Sequence, residues 1–383
     1  FNINGMRTGG PYTVEVSFIG MTTMKYEDIY LKLGEPGEVN ATLAEGTEIE
    51  TISIVGQNAF VASKTGAADN FSLEAVEAMP TINRSVYDIV KLTPQASVNK
   101  NGGMSFAGSN NRYNSFQIDG AMSNDTFGLS ADGTNGAQAG ANPVSLDAIE
   151  EIQVVVAPFD VRQSGFTGGA INAITKSGTN KVKGSFSAYY TNQELIGMTN
   201  TTYMDIAGNV KERAKYDQQY QQTYSFTVGG PIIKNKLFLF VSGEYFGKSY
   251  PNVYSPMNDS YTMSEKDHKL KTPVTIGKNT YEYFTPELAD EMIKHYEATY
   301  GADIDGFSES YTPHQVDSRS LNALARLDWN INDNNKLMFR YQFADSYSDK
   351  YSSGYKTYYF NNSSYKMKNR TNTLVLELNS RLS

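Results

Sequence analysis

Residues 145–180 read SLDAIEEIQVVVAPFDVRQSGFTGGAINAITKSGTN, and the fold turns on how that stretch divides. Ile149 to Val156 is dense in Ile and Val after an acidic, helix-like turn, the pattern of a buried strand. Gly165, Gly168 and Gly169 then punctuate the chain. Glycine there permits positive φ angles or the close approach of two backbones. Ala170 to Thr175 resumes a strand of small and β-branched residues, and residues 176–180 (KSGTN) form a turn. By spacing alone this is a β-loop-β unit, compatible with many folds.

The flanking residues narrow the choice. Residues 70–80 (NFSLEAVEAMP) and 84–94 (RSVYDIVKLTP) are expected as two short helices, each halted by a proline that cannot continue it. Ser85 and Asp88 have the spacing of a capping box, and Val86, Ile89 and Val90 make one apolar, core-forming face. Residues 106–112 (FAGSNNR) add a glycine-and-asparagine strand, and residues 116–120 (FQIDG) end in the Asp119-Gly120 turn. Together these segments resemble the plug domain of TonB-dependent outer-membrane receptors. In that family an acidic lead into an Ile/Val strand, a Gly-Gly-small-Ile-Asn strand and a Thr-Lys-x-Gly-Thr-Asn turn occur in this order, ahead of the barrel.

Upstream, residues 1–43 resemble the second half of a carboxypeptidase-regulatory-like β-sandwich, which precedes the plug in many Bacteroidetes receptors and particularly in the Oar-like group. Alternation over residues 12–18 (YTVEVSF) supports a strand with one wet face. A complete sandwich needs further strands, so the chain is expected to begin inside a domain. Residues 50–55 (ETISIV) resemble a TonB box, an extended segment suited to adding an edge to a partner sheet. The same residues also read as the last strand of the preceding sandwich.

After residue 180 the chain becomes tyrosine-rich, with alternating runs separated by connections of very unequal length. The first run is 181–192. In 222–228, Tyr224, Phe226 and Val228 alternate with Thr223, Ser225 and Thr227. Beyond a tight turn at 234–236, Leu237, Leu239, Val241 and Tyr245 share one face while Glu244 lies on the other. In 321–331, Ala323, Ala325, Leu327, Trp329 and Ile331 oppose Asn322, Arg326, Asp328 and Asn330. After the turn at 332–335, Leu337, Phe339, Tyr341 and Phe343 alternate with Met338, Arg340 and Gln342, and 372–380 exposes Leu374, Leu376 and Leu378. Apolar-out, polar-in segments of about ten residues fit outer-membrane strands. A soluble sandwich with one wet face alternates similarly. The 27 tyrosines and 19 phenylalanines against 1 tryptophan suit aromatic girdles, and equally a carbohydrate-binding β surface.

Composition excludes several classes. With 39% hydrophobic residues and no long apolar run, nothing crosses a bilayer as a helix. The absence of cysteine removes disulfide and thiol chemistry, and the net charge of -8 argues against a nucleic-acid partner. No Gly-x-Ser-x-Gly elbow, His-Glu-x-x-His helix or phosphate-binding loop occurs, so no enzyme is expected. His268, His295 and His314 all lie in a long polar loop, 248–318, at spacings that match no standard metal-ligand pattern. Asp125, Asp132 and Asn135 depart from calcium-loop spacing. Neither metal nor cofactor is expected. Within the long loop, Thr285 as N-cap, Pro286, and Leu288, Met292 and Tyr296 on one stripe predict a helix ending at Gly301.

The resemblance implies a mainly β chain: a partial regulatory-like β-sandwich (1–48), a linker carrying the candidate TonB box (49–58), a mixed α/β plug domain (59–180), and the first strands of a transmembrane antiparallel β-barrel (181–383). Barrels of this family close with about twenty-two strands, so a chain offering about six is expected to be truncated at both ends. The implied function is an outer-membrane active-transport receptor, importing an extracellular ligand of unknown class through the plugged barrel. Glu50, Thr51, Ile52, Ser53, Ile54 and Val55 would bind TonB, which works with ExbB and ExbD in the inner membrane. Arg84, Arg112 and Arg162 would pair with inward carboxylates such as Glu244, Asp328 and Glu377 as a reversible gate. Asn110, Asn111, Arg112, Asn114, Asp125 and Asp132 would face the ligand at the plug apex. Outer-membrane lipid surrounds such a barrel, and a surface lipoprotein is a possible further partner. Two other readings stay open: a surface adhesion protein with receptor architecture and no transport, and a secreted carbohydrate-binding β protein.

Overall fold

The computed structural model describes residues 3, 6, 9–31, 37–43, 50–51, 67–79, 81, 84–98, 103–125, 130, 133–156, 165–198, 203–204, 210–211, 213–251, 269–283, 285–301, 315–332, 334–351, 359–360 and 363–380. The N-terminal part is a small sheet in which β1 (Gly9–Val16) pairs antiparallel with β2 (Met24–Leu31), and β3 (Glu50–Thr51) runs parallel to β2.

A mixed sheet follows. Its elements are β4 (Ala67–Ser72), α1 (Leu73–Ala78), α2 (Val86–Val90), the small hairpin of β5 (Ala96–Val98) and β6 (Met104–Phe106), then β7 (Ser115–Ile118), β8 (Ala121–Met122), β9 (Ile149–Val156) and β10 (Gly169–Thr175). The strand order is β4-β9-β10-β7-β8, with only β10 and β7 parallel. Val86, Ile89 and Val90 pack with Ile118, Ile149, Ile152, Val154 and Ile171 in one apolar cluster. The capping box is present, with Ser85 Oγ accepting from the Tyr87 amide at 3.3 Å and the Ser85 amide donating to Asp88 at 3.5 Å.

Helix α1 is shorter than the sequence predicts. Residues 70–72 are extended because the edge of β9 takes them: Phe71 lies opposite Ile152 and Ser72 opposite Glu151. A tertiary hydrogen-bond ladder outweighs the weak local helix preference. The glycine pair also resolves into one of its two uses. A Cβ on Gly168 would collide with Asn114, and one on Gly169 with the Phe106 ring, so both serve close packing rather than positive φ.

The third part is a six-stranded antiparallel sheet in sequence order: β11 (Lys183–Asn192), β14 (Tyr220–Ile233), β15 (Leu237–Pro251), β18 (Gln315–Asn332), β19 (Asn335–Lys350) and β20 (Tyr365–Ser380). Short α3 (Gln193–Ile196) and the pair β12 (Tyr203–Met204) and β13 (Val210–Lys211) precede β14. The hairpin of β16 (Lys269–Ile276) and β17 (Asn279–Tyr283) and helix α4 (Pro286–Tyr300) precede β18. The predicted runs fall in the six strands, the first starting at Lys183 rather than 181, but β14, β15 and β18 reach 14, 15 and 18 residues. A transmembrane strand needs about 9–11 residues. The surplus stays in register with its neighbours, Lys248 opposite Ser318 and Ser318 opposite Ser348, so backbone bonding continues beyond the predicted runs.

Helix α4 starts as predicted, with Thr285 Oγ1 accepting from the Leu288 amide at 3.3 Å and Gly301 at φ 66° closing it. Its buried stripe is Leu288, Ala289 and Ile293, rotated from the predicted Leu288, Met292 and Tyr296. Tyr296 instead packs on Tyr300, ring centroids 4.6 Å apart.

The two faces of the long sheet are inverted relative to a water-soluble protein. Thr223, Ser225, Thr227, Ser242, Glu244, Asn322, Arg326, Asp328, Arg340 and Gln342 are buried, while Leu374, Leu376 and Leu378 are 65%, 66% and 60% exposed. A soluble sandwich buries the apolar side of its alternation. Here the polar side is buried, under the mixed sheet, and the apolar side is bare.

Candidate functional site

The chemistry of the molecule is concentrated between the mixed sheet and the polar face of the long sheet. Two segments of the mixed sheet make the contact. The first is the Asp119-Gly120 turn between β7 and β8, together with Thr175 at the end of β10. Asp119 adopts φ 48°, which few non-glycine residues tolerate, and this turn sets its carboxylate against β18 and β19. One carboxylate oxygen accepts from the Thr175 amide at 2.8 Å and from Arg326 Nη1 at 3.2 Å. The other accepts from Thr175 Oγ1 at 2.8 Å and from Arg340 Nη1 at 2.7 Å. Arg326 also donates to the Thr175 carbonyl at 2.8 Å.

Asp328 completes the cluster. Its two oxygens accept from Arg326 Nε at 3.1 Å and Nη2 at 3.3 Å, a bidentate grip that fixes the guanidinium plane. Two arginines and two aspartates therefore balance in charge. Side-chain exposure is 1% for Arg340, 10% for Arg326, 5% for Asp119 and 2% for Asp328, so the charges are desolvated and depend on one another.

The second segment is 142–147 (NPVSLD). Its residues reach four consecutive strands. Asn322 on β18 donates to the Asn142 carbonyl at 3.1 Å, Gln342 on β19 donates to the Pro143 carbonyl, Ser145 donates to Glu244 on β15 at 2.7 Å, and Ser225 on β14 donates to Asp147. Asp147 also pairs with Arg84 Nη2 at 2.6 Å, and the Arg84 guanidinium lies 4.2 Å from the Tyr189 ring centroid on β11. A turn fixes the crossing between the two sheets. A Cβ on Gly178 would fall 2.5 Å from the Leu239 carbonyl and 2.7 Å from that of Gly230, so the KSGTN turn lies directly on the β14 and β15 backbones.

The predicted site residues are distributed as follows. Arg84 pairs with Asp147 of its own domain, Glu244 with the Ser145 hydroxyl, and Asp328 with Arg326 of its own strand. Arg112 is exposed, and Glu377 is exposed with Asn379 donating to it at 2.6 Å. Asn110 caps a helical turn by accepting from the Arg112 amide, and Asn111 opens that turn. Asn114 is used inside the mixed sheet, donating to the Met104 carbonyl at 2.7 Å and accepting from Gly169 at 3.2 Å. Asp125 accepts from the Ser130 amide at 2.7 Å. Glu50 and Thr51 bridge to Met24 and Lys25 of β2, whereas Ile52, Ser53, Ile54, Val55, Asp132 and Arg162 lie outside the described residues. So do His268 and His314, while His295 is exposed on α4. Among the described residues no group of three or more His, Asp or Glu side chains is placed to hold a metal ion.

Sequence reasoning missed Asp119, Thr175, Arg326 and Arg340 as a cluster. A signal was available. Arg326 and Arg340 are direct cross-strand partners on the inward face, and like charges opposite each other are destabilising unless an anion lies between them.

Residues 174–381 match the family model described as outer membrane beta barrel domain. The chain is 25% identical over 345 residues to the TonB-dependent transporter Oar of Myxococcus xanthus, which covers 86% of this chain and 28% of that protein. In fold it is similar to the outer membrane transporter YddB of Escherichia coli, with a TM-score of 0.51 and 13% identity, covering 82% of this chain and 37% of the other. The chain thus spans well under half the length of these relatives.

Proposed function

Because this chain belongs to the outer membrane beta barrel domain family, we propose that it forms the plug and opening barrel wall of a receptor that binds a ligand outside the cell and imports it with TonB-coupled energy. It resides in the outer membrane, where its bare apolar face meets lipid. The observation that carries the reading is the interface itself: a mixed domain held against the polar wall by ion pairs and hydrogen bonds. Phe240 and Leu324 of the wall add an apolar contact to the cluster of the mixed sheet, but most of the named contacts are polar and can exchange for water or ligand as a movable plug requires.

In this reading residues 59–180 are the plug and 181–383 the barrel wall, with 248–318 an extracellular loop. Residues 1–48 belong to a regulatory-like sandwich of the Oar-like, Bacteroidetes type. Glu50 to Val55 within the 49–58 linker recruit TonB, powered by ExbB and ExbD, and a surface lipoprotein is a further partner. Support for the TonB segment is that its described residues, Glu50 and Thr51, are extended and pair parallel with Met24 and Lys25 of β2, the conformation in which a strand is added to a partner sheet. Arg84, Arg112 and Arg162 act as gating residues with Glu244, Asp328 and Glu377, and the ligand meets the plug around Asn110, Asn111, Arg112, Asn114, Asp125 and Asp132.

The test is site-specific crosslinking in cells, with cysteine at Ile52 and at the exposed edge strand of TonB. A disulfide-linked product that disappears when Ile54→Pro is added to the Ile52→Cys receptor is expected. No crosslink under transport conditions overturns TonB coupling and leaves a surface adhesion role. An Arg162→Ala variant with normal uptake removes that residue from the gate.

A further inference from the structure

The cross-strand pair Arg326 and Arg340 differs in how each guanidinium is compensated. Arg326 has its own carboxylate, Asp328, two residues away on the same strand, and this grip needs nothing from the plug. Arg340 has no such partner: its ion pair is with Asp119 of the plug, the other charge acting on it is the repulsive one of Arg326, and its buried Nε has no hydrogen-bond partner among the described residues. Any movement that opens the channel past this point takes Asp119 away. What is left on the wall is a desolvated guanidinium with donors to spare and a second cation opposite it.

We propose that Arg340, with Arg326 beside it, is a carboxylate-binding site on the transport path, which Asp119 occupies as an internal ligand while the channel is closed. The inference rests on the transport reading and adds to it a substrate class: the cargo carries a carboxylate. The present occupant shows the recognition chemistry. A carboxylate fits with one oxygen toward each arginine, at 2.7 Å from Arg340 and 3.2 Å from Arg326, and a cargo carboxylate replaces it without leaving either charge unpaired. The exchange keeps Arg340 compensated throughout, which lowers the cost of plug movement when acidic cargo is present and leaves it high when none is.

The test is chemical rescue in the full receptor, purified in detergent, with acetate as the probe. Asp119→Gly removes the carboxylate while suiting the φ of 48°, so the turn is not strained, and the part of the stability loss that acetate restores reports the missing carboxylate. Expected is a lowered unfolding temperature that acetate restores saturably, that sodium chloride at equal ionic strength does not restore, and that acetate no longer restores when Arg340→Gln is added. Equal effects of acetate and chloride, or rescue that survives Arg340→Gln, overturn the proposal. Rescue by inorganic phosphate but not acetate also overturns the carboxylate assignment. If Asp119→Gly does not assemble, the yield of folded barrel refolded in acetate against chloride reads the same contrast. None of these measurements involves TonB, so their failure leaves the transport reading standing, and failure of the TonB crosslink leaves this site standing.

Discussion

Arg340 stands directly opposite Arg326 in the register of β18 and β19, two like charges on a buried face that are reconciled by the Asp119 carboxylate of the mixed sheet reaching both. Their energetics are strongly one-sided. Breaking a buried ion pair from one side costs about 3–5 kcal/mol, whereas replacing both partners by apolar groups is often neutral. Asp119→Asn is therefore expected to lower barrel stability in detergent markedly, and adding Arg340→Met to recover most of the loss. Calorimetry of the single and double variants checks this; simple additivity of the two substitutions would sink the argument.

Gly178 marks the passage from the mixed sheet to the six-stranded sheet. Because an added Cβ meets backbone atoms of Leu239 and Gly230 that cannot rotate away, Gly178→Ala is expected to cost at least the 1–3 kcal/mol of an overpacked site. The readout is the fraction of protein migrating as folded barrel without heating. Unchanged yield and melting temperature would show that the turn can move off the sheet.

Ser145 is the hydroxyl donor to the buried carboxylate of Glu244. Ser145→Ala leaves that carboxylate short of a donor, at an expected cost of about 1–3 kcal/mol. Faster exchange of backbone amides in 142–147 should accompany it, measured by hydrogen–deuterium exchange, since this segment is tied to four strands.

Leu376 tests the membrane reading. With its side chain 66% exposed on the bare face, Leu376→Arg would change little in a water-soluble sheet. In a bilayer the same change is expected to cost about 2–4 kcal/mol near the midplane. Folding titrations into vesicles of defined thickness distinguish the two.

Glu287 supplies the pH prediction. Its carboxyl is held below the ordinary range first by a backbone hydrogen bond at the start of α4 and then by the Thr285 hydroxyl. A depressed pKa stabilises the helix at neutral pH, and that contribution is lost as pH falls below the usual carboxylate range of about 4.3 and through the lowered value. Amide protection in α4 should be weaker in Glu287→Gln than in the parent at pH 7, and the difference should vanish near pH 3. A difference that persists in acid would assign the protection to packing.

The sequence by itself determined what depends on near neighbours. Alternation with period two is a local property, so Tyr224, Phe226 and Val228 declared the outward face of β14 and Thr223, Ser225 and Thr227 the inward one. The Ser85 cap, the Thr285 cap and the stop at Gly301 were legible for the same reason. Strand ends were not: residues 70–72 became strand because β9 offered them a ladder, and β14, β15, β18, β19 and β20 outran their predicted runs because paired backbones bond whatever their side chains. Only the tertiary structure decided which charges meet. Arg84 turned to Asp147, 63 residues away, while Asp119, legible only as a turn, met Arg326 and Arg340 at separations of 207 and 221 residues. A charge carries no local mark of its partner, because the pairing follows from which segments packing brings together out of water, and that is settled by the whole chain.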